Sequence, residues 1–252
     1  MTSSPLKFAI ENQTAVIKLN RPQVHHAMDD GMMRALEIAL DEIENNDNIR
    51  TIVLSATGNT TFCAGGDLRY FASLKKRSDC LVMSERMQQI MTRIHSGDRP
   101  AIAAVNGQAL GGGCEILTAC HIRMAASHAT FSFRQAPNGI LTGWGGGGRL
   151  FRIIGKAKAL KLLLSGETIT ANDALNIGLV DQVVRGEALL SSARALADKI
   201  NQNPPPAVKA FIALSQNYDV LDEEQLKAFE TETFADLWMG EHFQNILKKF
   251  RS

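Results

Sequence analysis

The sequence predicts an α/β fold in which short ββα units stack into a spiral, followed by a helical tail. Three observations carry this. Buried-type strands at Ala101–Val105 and His121–Ala125 bracket an apolar helix that carries Glu115. Strand and helix patterns alternate along most of the chain, which is the signature of layered α/β architecture. The last stretch then turns wholly helical.

In order, Phe8–Ile10 and Ala15–Leu19 read as a hairpin of short strands. Asp29–Asn46 places Met33, Leu36, Leu40 and Ile43 at helical spacing. Thr51–Leu54 is a β-branched strand and Cys80–His95 a Met-rich helix, whose methionines fit core packing better than an acyl pocket. Ala188–Ile200, Ala207–Leu214 and Glu223–Leu237 are the tail helices, the first ended by Asn203-Pro-Pro-Pro206. Residues 1–187 are expected to form the spiral core and 188–252 a C-terminal helical region.

Composition excludes several classes. A chain of 252 residues buries one sizeable core. A net charge of +1, with scattered Lys and Arg, argues against nucleic acid or a membrane surface as partner. No apolar run reaches the roughly 20 residues that a bilayer span needs. The first residues resemble neither a signal nor a transit peptide, so the expected location is cytoplasmic. Four cysteines without CxxC spacing read as reduced, buried thiols, and six histidines lack ligand spacing, so no metal site is expected. Adjacent His25 and His26 would point in different directions. The Gly143–Gly148 run lacks the Lys-Ser/Thr of a P-loop, and no dinucleotide fingerprint appears.

The most informative segment is Pro100-Ala-Ile-Ala-Ala-Val-Asn-Gly-Gln-Ala-Leu-Gly-Gly-Gly-Cys-Glu115. A strand runs through a turn into three glycines and then a helix, leaving backbone N–H groups free beside Glu115. Free donors plus a carboxylate are the minimum equipment for making and protonating an enolate-like anion. A second glycine segment, Thr61-Phe-Cys-Ala-Gly-Gly-Asp-Leu-Arg69, follows the earlier strand, and Asp67 there can cap a helix.

The two segments, in this order and spacing, resemble the enoyl-CoA hydratase/isomerase (crotonase) family, from Asn20-Arg-Pro22 to the C-terminal helices. The resemblance implies a crotonase-like spiral core, a coenzyme A thioester as substrate, no further cofactor, and a homotrimer or a dimer of trimers. It implies an oxyanion hole of the Gly66 and Gly112 amides, with Glu115 as acid/base. Asp67, Leu68 and Arg69 would lie along the acyl-CoA. Val24 and His25 would follow the pantetheine and adenine mainly through backbone groups. Arg21 would brace that loop, and His26 stands where the family has Asn. Lys227, Lys248 and Lys249 could reach CoA phosphates, although solvated surface lysines explain them better.

One departure is plain. Anchored on Gly139, Gly145-Gly146 and Arg149-Leu150, the second glutamate of the family's hydratases is Gln135 here. Thr142 replaces the usual proline, and Trp144 enters the Gly-rich turn. An amide transfers no proton, so Glu115 alone remains, and hydration should weaken by about 10²–10⁴-fold if nothing substitutes. Gln135, Asn138 and Trp144 are left to position water or the acyl group. The alternatives are loss of a β-carboxyl group, for which Trp144-Gly145-Gly146 and Ala174-Leu-Asn-Ile-Gly178 resemble the ethylmalonyl-CoA decarboxylase branch, and a non-catalytic acyl-CoA-binding assembly subunit. Isomerisation also needs one base, but the family's single-base isomerases generally keep the other carboxylate position.

Overall fold

The computed structural model describes residues 4–249. Strands β1 (Leu6–Glu11) and β2 (Thr14–Leu19) form the expected hairpin, closed by Asn12 and Gln13, both at positive φ. Two-residue turns of that hand match the twist of the strands they join. Helix α1 (Asp30–Glu44) starts on Asp29, whose carboxylate accepts from Met32 N at 2.8 Å, and buries the predicted Met33, Leu36, Leu40 and Ile43.

The repeat is built from strand pairs that divide between two sheets. The pairs are β3 (Thr51–Ala56) with β4 (Thr61–Cys63), β5 (Ala101–Val105) with β6 (Gln108–Leu110), and β7 (Ile122–Ala126) with β8 (Thr130–Ser132). The first strand of each pair joins a six-stranded sheet, β1-β2-β3-β5-β7-β10, where β10 is Gln182–Val184. The second joins a four-stranded sheet, β4-β6-β8-β9, where β9 is Thr168–Thr170. Within both sheets the repeat strands run parallel. Every residue of β3 and β5 is buried, which is why these strands read as apolar runs without alternation.

The second strands span three residues each, too short for a period of two to register in sequence. Helices α2 (Leu68–Ser73), α3 (Arg77–Ser96), α4 (Gly112–Leu117) and α5 (Gly146–Ile154) lie in the connections. Met87 and Met91 of α3 are fully buried in the core, as packing rather than pocket residues.

Helices α6 (Lys156–Ser165) and α7 (Ala171–Ile177) lead to β10. Helix α8 (Leu189–Asn201) lies against the larger sheet and buries Leu189, Ala193 and Ala197, so the sheet's core continues past residue 187. Helix α9 (Pro205–Tyr218) starts two residues earlier than its apolar pattern, because Pro205 and Pro206 occupy first-turn positions that need no N–H. Helices α9, α10 (Glu223–Met239) and α11 (Glu241–Lys248) bury no residue fully, and Phe211, Phe234 and Met239 stand exposed. Among the described residues no helix is long and apolar enough to cross a membrane.

Candidate active site

Parallel strands β4, β6 and β8 lie side by side, so their carboxyl ends open on one edge of the smaller sheet. Each ends within three residues of a candidate. Cys63 leads to Gly66, Leu110 to Gly112, and Ser132 to Gln135. Segments far apart in sequence therefore converge because they are equivalent points of one repeat.

Gly66 sits in a parallel bridge with Met28, in which Met28 N donates to Gly65 O and Asp67 N donates to Met28 O. That pattern uses the neighbours of Gly66 and turns its own N–H the other way. Gly112 is the first residue of α4, where helical geometry leaves the amide without an internal acceptor. Neither amide has a hydrogen-bond partner among the described residues. The two loops touch: Gly65 has φ +91°, and a Cβ there would lie 2.9 Å from Gly112 N. Only glycine permits that approach. The Phe71 ring packs on the Cα of Gly66 and the Trp144 ring on that of Gly112, so two aromatic walls flank the amides.

Glu115, in the first turn of α4, is 2 % exposed. Its Oε1 accepts from Gln135 Nε2 at 3.0 Å and Gly143 N at 3.3 Å, and its Oε2 from Trp144 N at 2.8 Å and Gly146 N at 3.0 Å. Burial pushes the carboxyl above the ordinary glutamate value, while these donors pull the other way. Gly146 begins α5, so a helix N-terminus faces the carboxylate. A Cβ on Gly146 would lie 2.5 Å from Glu115 Cβ, which explains the glycine. The buried Arg149 guanidinium holds this arrangement from behind, donating to Trp144 O at 2.8 Å, Thr118 Oγ1 at 3.2 Å and Glu115 O at 3.4 Å.

Gln135 is 5 % exposed and touches Glu115 through its amide nitrogen; its Oε1 is buried without a partner among the described residues. Asn138 is exposed on the following 3-10 turn, not within this cluster of hydrogen bonds. Asp67 caps α2, accepting from Arg69 N at 3.0 Å, and pairs with Arg21 at 3.0 Å, so its carboxylate is engaged by protein. Leu68, 80 % exposed, and Arg69 project to solvent.

Arg21 also pairs with Asp29 at 2.8 Å and donates to Ala27 O, bracing the loop as expected. That loop carries Val24, partly buried, and His25, whose exposed side chain leaves the backbone O to accept from Ala64 N. His26 is buried, with Nδ1 accepting from Arg21 N at 3.0 Å, so the adjacent histidines do diverge. Of the lysines considered for phosphate, Lys227 is exposed and pairs with Glu223 at 2.6 Å. Cys63, Cys114 and Cys120 are buried, whereas Cys80 is exposed.

Sequence reasoning missed four contributors: Phe71, the Gly143 and Gly146 amides, and Arg149. The glycine run at 143–148 was the available signal, since glycines that admit close backbone approach accompany backbone donors.

The family model described as enoyl-CoA hydratase/isomerase matches residues 9–251. The chain belongs to the enoyl-CoA hydratase/isomerase family. A protein named probable enoyl-CoA hydratase from Bacillus subtilis is 35% identical over 246 residues, covering 97% of this chain and 95% of its own. A short-chain-enoyl-CoA hydratase from Clostridium acetobutylicum is 33% identical over 243 residues, covering 95% and 92%. The crystal structure of an enoyl-CoA hydratase from Bacillus anthracis superposes with a TM-score of 0.92 at 29% identity, covering 98% of this chain and 96% of that one. The crotonase-type architecture and the class of acyl-CoA enzyme follow from these matches.

Proposed function

We propose that this family member reversibly hydrates a short 2-enoyl-CoA through a thioester enolate, with the Gly66 and Gly112 amides holding the enolate oxygen and Glu115 moving the proton. The observation that supports this reading best is the convergence of a buried carboxylate and two backbone amides without partners among the described residues, at the ends of neighbouring parallel strands.

Written in the dehydration direction, Glu115 takes the proton from Cα of a β-hydroxyacyl thioester. The electron pair moves onto the thioester oxygen, which the two N–H groups stabilise; one such donor is worth on the order of 10²–10³ in rate. As the carbonyl re-forms, the C=C bond is made, the Cβ–O bond breaks, and the leaving hydroxide takes the proton back from Glu115. Atoms balance with one carboxylate, because the proton removed from Cα leaves in the water. Gln135 supplies no proton at any stage. The aromatic walls of Phe71 and Trp144 favour a small acyl group. The exposed apolar faces of α9 to α11 are read as surfaces covered by neighbouring subunits of a trimer or hexamer.

The test is a paired assay of wild type and Glu115→Gln with crotonyl-CoA, following the enoyl absorbance, and with ethylmalonyl-CoA and methylmalonyl-CoA, following mass. Hydration lost in the variant supports the reading. Decarboxylation without hydration overturns it.

A further inference from the structure

Resting on that reading, we propose that Gln135 selects the group at the β carbon: its amide oxygen accepts from a neutral hydrogen-bond donor there and rejects a carboxylate. Gln135 Nε2 lies 3.0 Å from Glu115 Oε1. The remaining contacts of that carboxylate are backbone N–H groups, which cannot reverse. An ionised carboxylate only accepts, so the NH₂ end of Gln135 must face it and the C=O end must face away.

The oxygen so directed is buried and unpartnered among the described residues, on a side chain 5 % exposed. A buried acceptor left unpaired is costly, so a ligand that brings a donor gains what the free site lacks. In our reading Glu115 faces Cα, and Gln135, hydrogen-bonded to it at 3.0 Å, is the neighbouring side chain that the β substituent must pass. A hydroxyl or an incoming water fits as donor. A carboxylate there meets an acceptor and a second buried anion, and both contacts oppose it. With Glu at this position the two carboxyl groups would share one proton, so the oxygen turned away from Glu115 would belong to a group carrying part of the charge. Gln135 therefore converts a proton-transfer position into a selective one, and β-carboxyl loss is the reaction it disfavours.

Three non-enolisable esters isolate the effect. Pivaloyl-CoA, hydroxypivaloyl-CoA and dimethylmalonyl-CoA share a quaternary Cα and carry methyl, hydroxymethyl and carboxylate at one position. Binding would be measured by calorimetry for wild type, Gln135→Met, which has neither donor nor acceptor, and Gln135→Glu, which keeps the shape. In wild type the hydroxyl should tighten binding by about tenfold over methyl, and the carboxylate should weaken it. Gln135→Met should erase the hydroxyl advantage. Gln135→Glu should weaken the carboxylate ester further while still accepting the hydroxyl.

No hydroxyl advantage in wild type, an advantage that survives Gln135→Met, or tightest binding of dimethylmalonyl-CoA with release of CO₂ would each overturn the proposal. Crotonyl-CoA turnover measured on the same wild-type preparation separates the two claims. Hydroxyl selectivity without turnover refutes the reaction and leaves the role of Gln135 standing.

Discussion

Gln135 Nε2 donates to Glu115 Oε1 at 3.0 Å, which makes this amide a stabiliser of the buried carboxylate's charge. Along with the Gly143, Trp144 and Gly146 amides, it helps fill the acceptor sites of a group whose proton affinity burial raises. Any proton that Glu115 receives must displace one of these donors. Gln135 is the side chain among them and can turn; the others are backbone.

The first prediction concerns pH. Removing the Gln135 donor with Gln135→Met leaves burial less opposed, so the proton affinity of Glu115 rises. Because the base form is the active one in dehydration, activity present above the carboxyl's pKa should fade at a higher pH than in wild type. The acidic limb of kcat/KM against pH for 3-hydroxybutyryl-CoA should therefore move upward. An unmoved or lowered limb would show that Gln135 does not support the charge.

The helix start behind Glu115 gives a second prediction. Gly146→Ala drives a methyl to within 2.5 Å of Glu115 Cβ and Cγ, so either the carboxylate or the first turn of α5 must shift. Overpacking of this kind costs about 1–3 kcal/mol. Thermal unfolding should start several degrees lower and kcat should fall at least about tenfold. Gly148→Ala, where a Cβ meets nothing within 4 Å, is the control and should change neither.

Much of this arrangement was legible in the chain. The triple glycine and Glu115 announced themselves because backbone donors require residues that let a ligand approach, and α4 begins at the second of those glycines. Gln135 was identifiable from its spacing to Gly139 and Arg149, but not its orientation, which depends on a carboxylate twenty residues earlier in the sequence. Asp67 was read both as a cap and as a substrate contact; it caps α2, and the ion pair with Arg21 crosses a separation no local pattern encodes. The three-residue strands β4, β6 and β8 escaped periodicity, yet their ends bring Gly66, Gly112 and Gln135 to one sheet edge.

A third prediction addresses acyl size. The Trp144 ring packs on Gly112, so Trp144→Ala opens space next to one proposed oxyanion donor while leaving its backbone N–H available to Glu115. The ratio of kcat/KM for octenoyl-CoA to that for crotonyl-CoA should rise by about tenfold, the scale on which apolar pockets discriminate. An unchanged ratio would remove Trp144 from the acyl wall.

Acid stability supplies a fourth. His121 stacks beside His95 with ring centroids 6.1 Å apart, and its Nδ1 accepts from Ala101 N, which fixes the neutral ring. Burial lowers its pKa to about 4, with the His95 ring adding to the shift. Between that value and the unfolded one near 6.5, the unfolded chain binds more protons. The contribution of the neutral ring is thus complete above about pH 6.5 and is lost as pH falls toward 4. Urea unfolding at pH 7 and pH 5 should show lower stability at pH 5. That difference should shrink, without vanishing, in His121→Gln, since burial depresses His95 and His26 as well.

The central claim is that Glu115 exchanges a proton with Cα of a thioester whose oxygen the amides hold. Hydrogen exchange at Cα of butyryl-CoA in D₂O, followed by NMR, tests it without requiring water addition. Wild type should incorporate deuterium at Cα. In Glu115→Gln the new amide oxygen can keep the Trp144 and Gly146 donors while its NH₂ faces a turned Gln135 at the cost of the longer Gly143 contact, so the variant is expected to fold. Its exchange rate should drop by about 10²–10⁴-fold. Undiminished exchange in that variant would contradict the account.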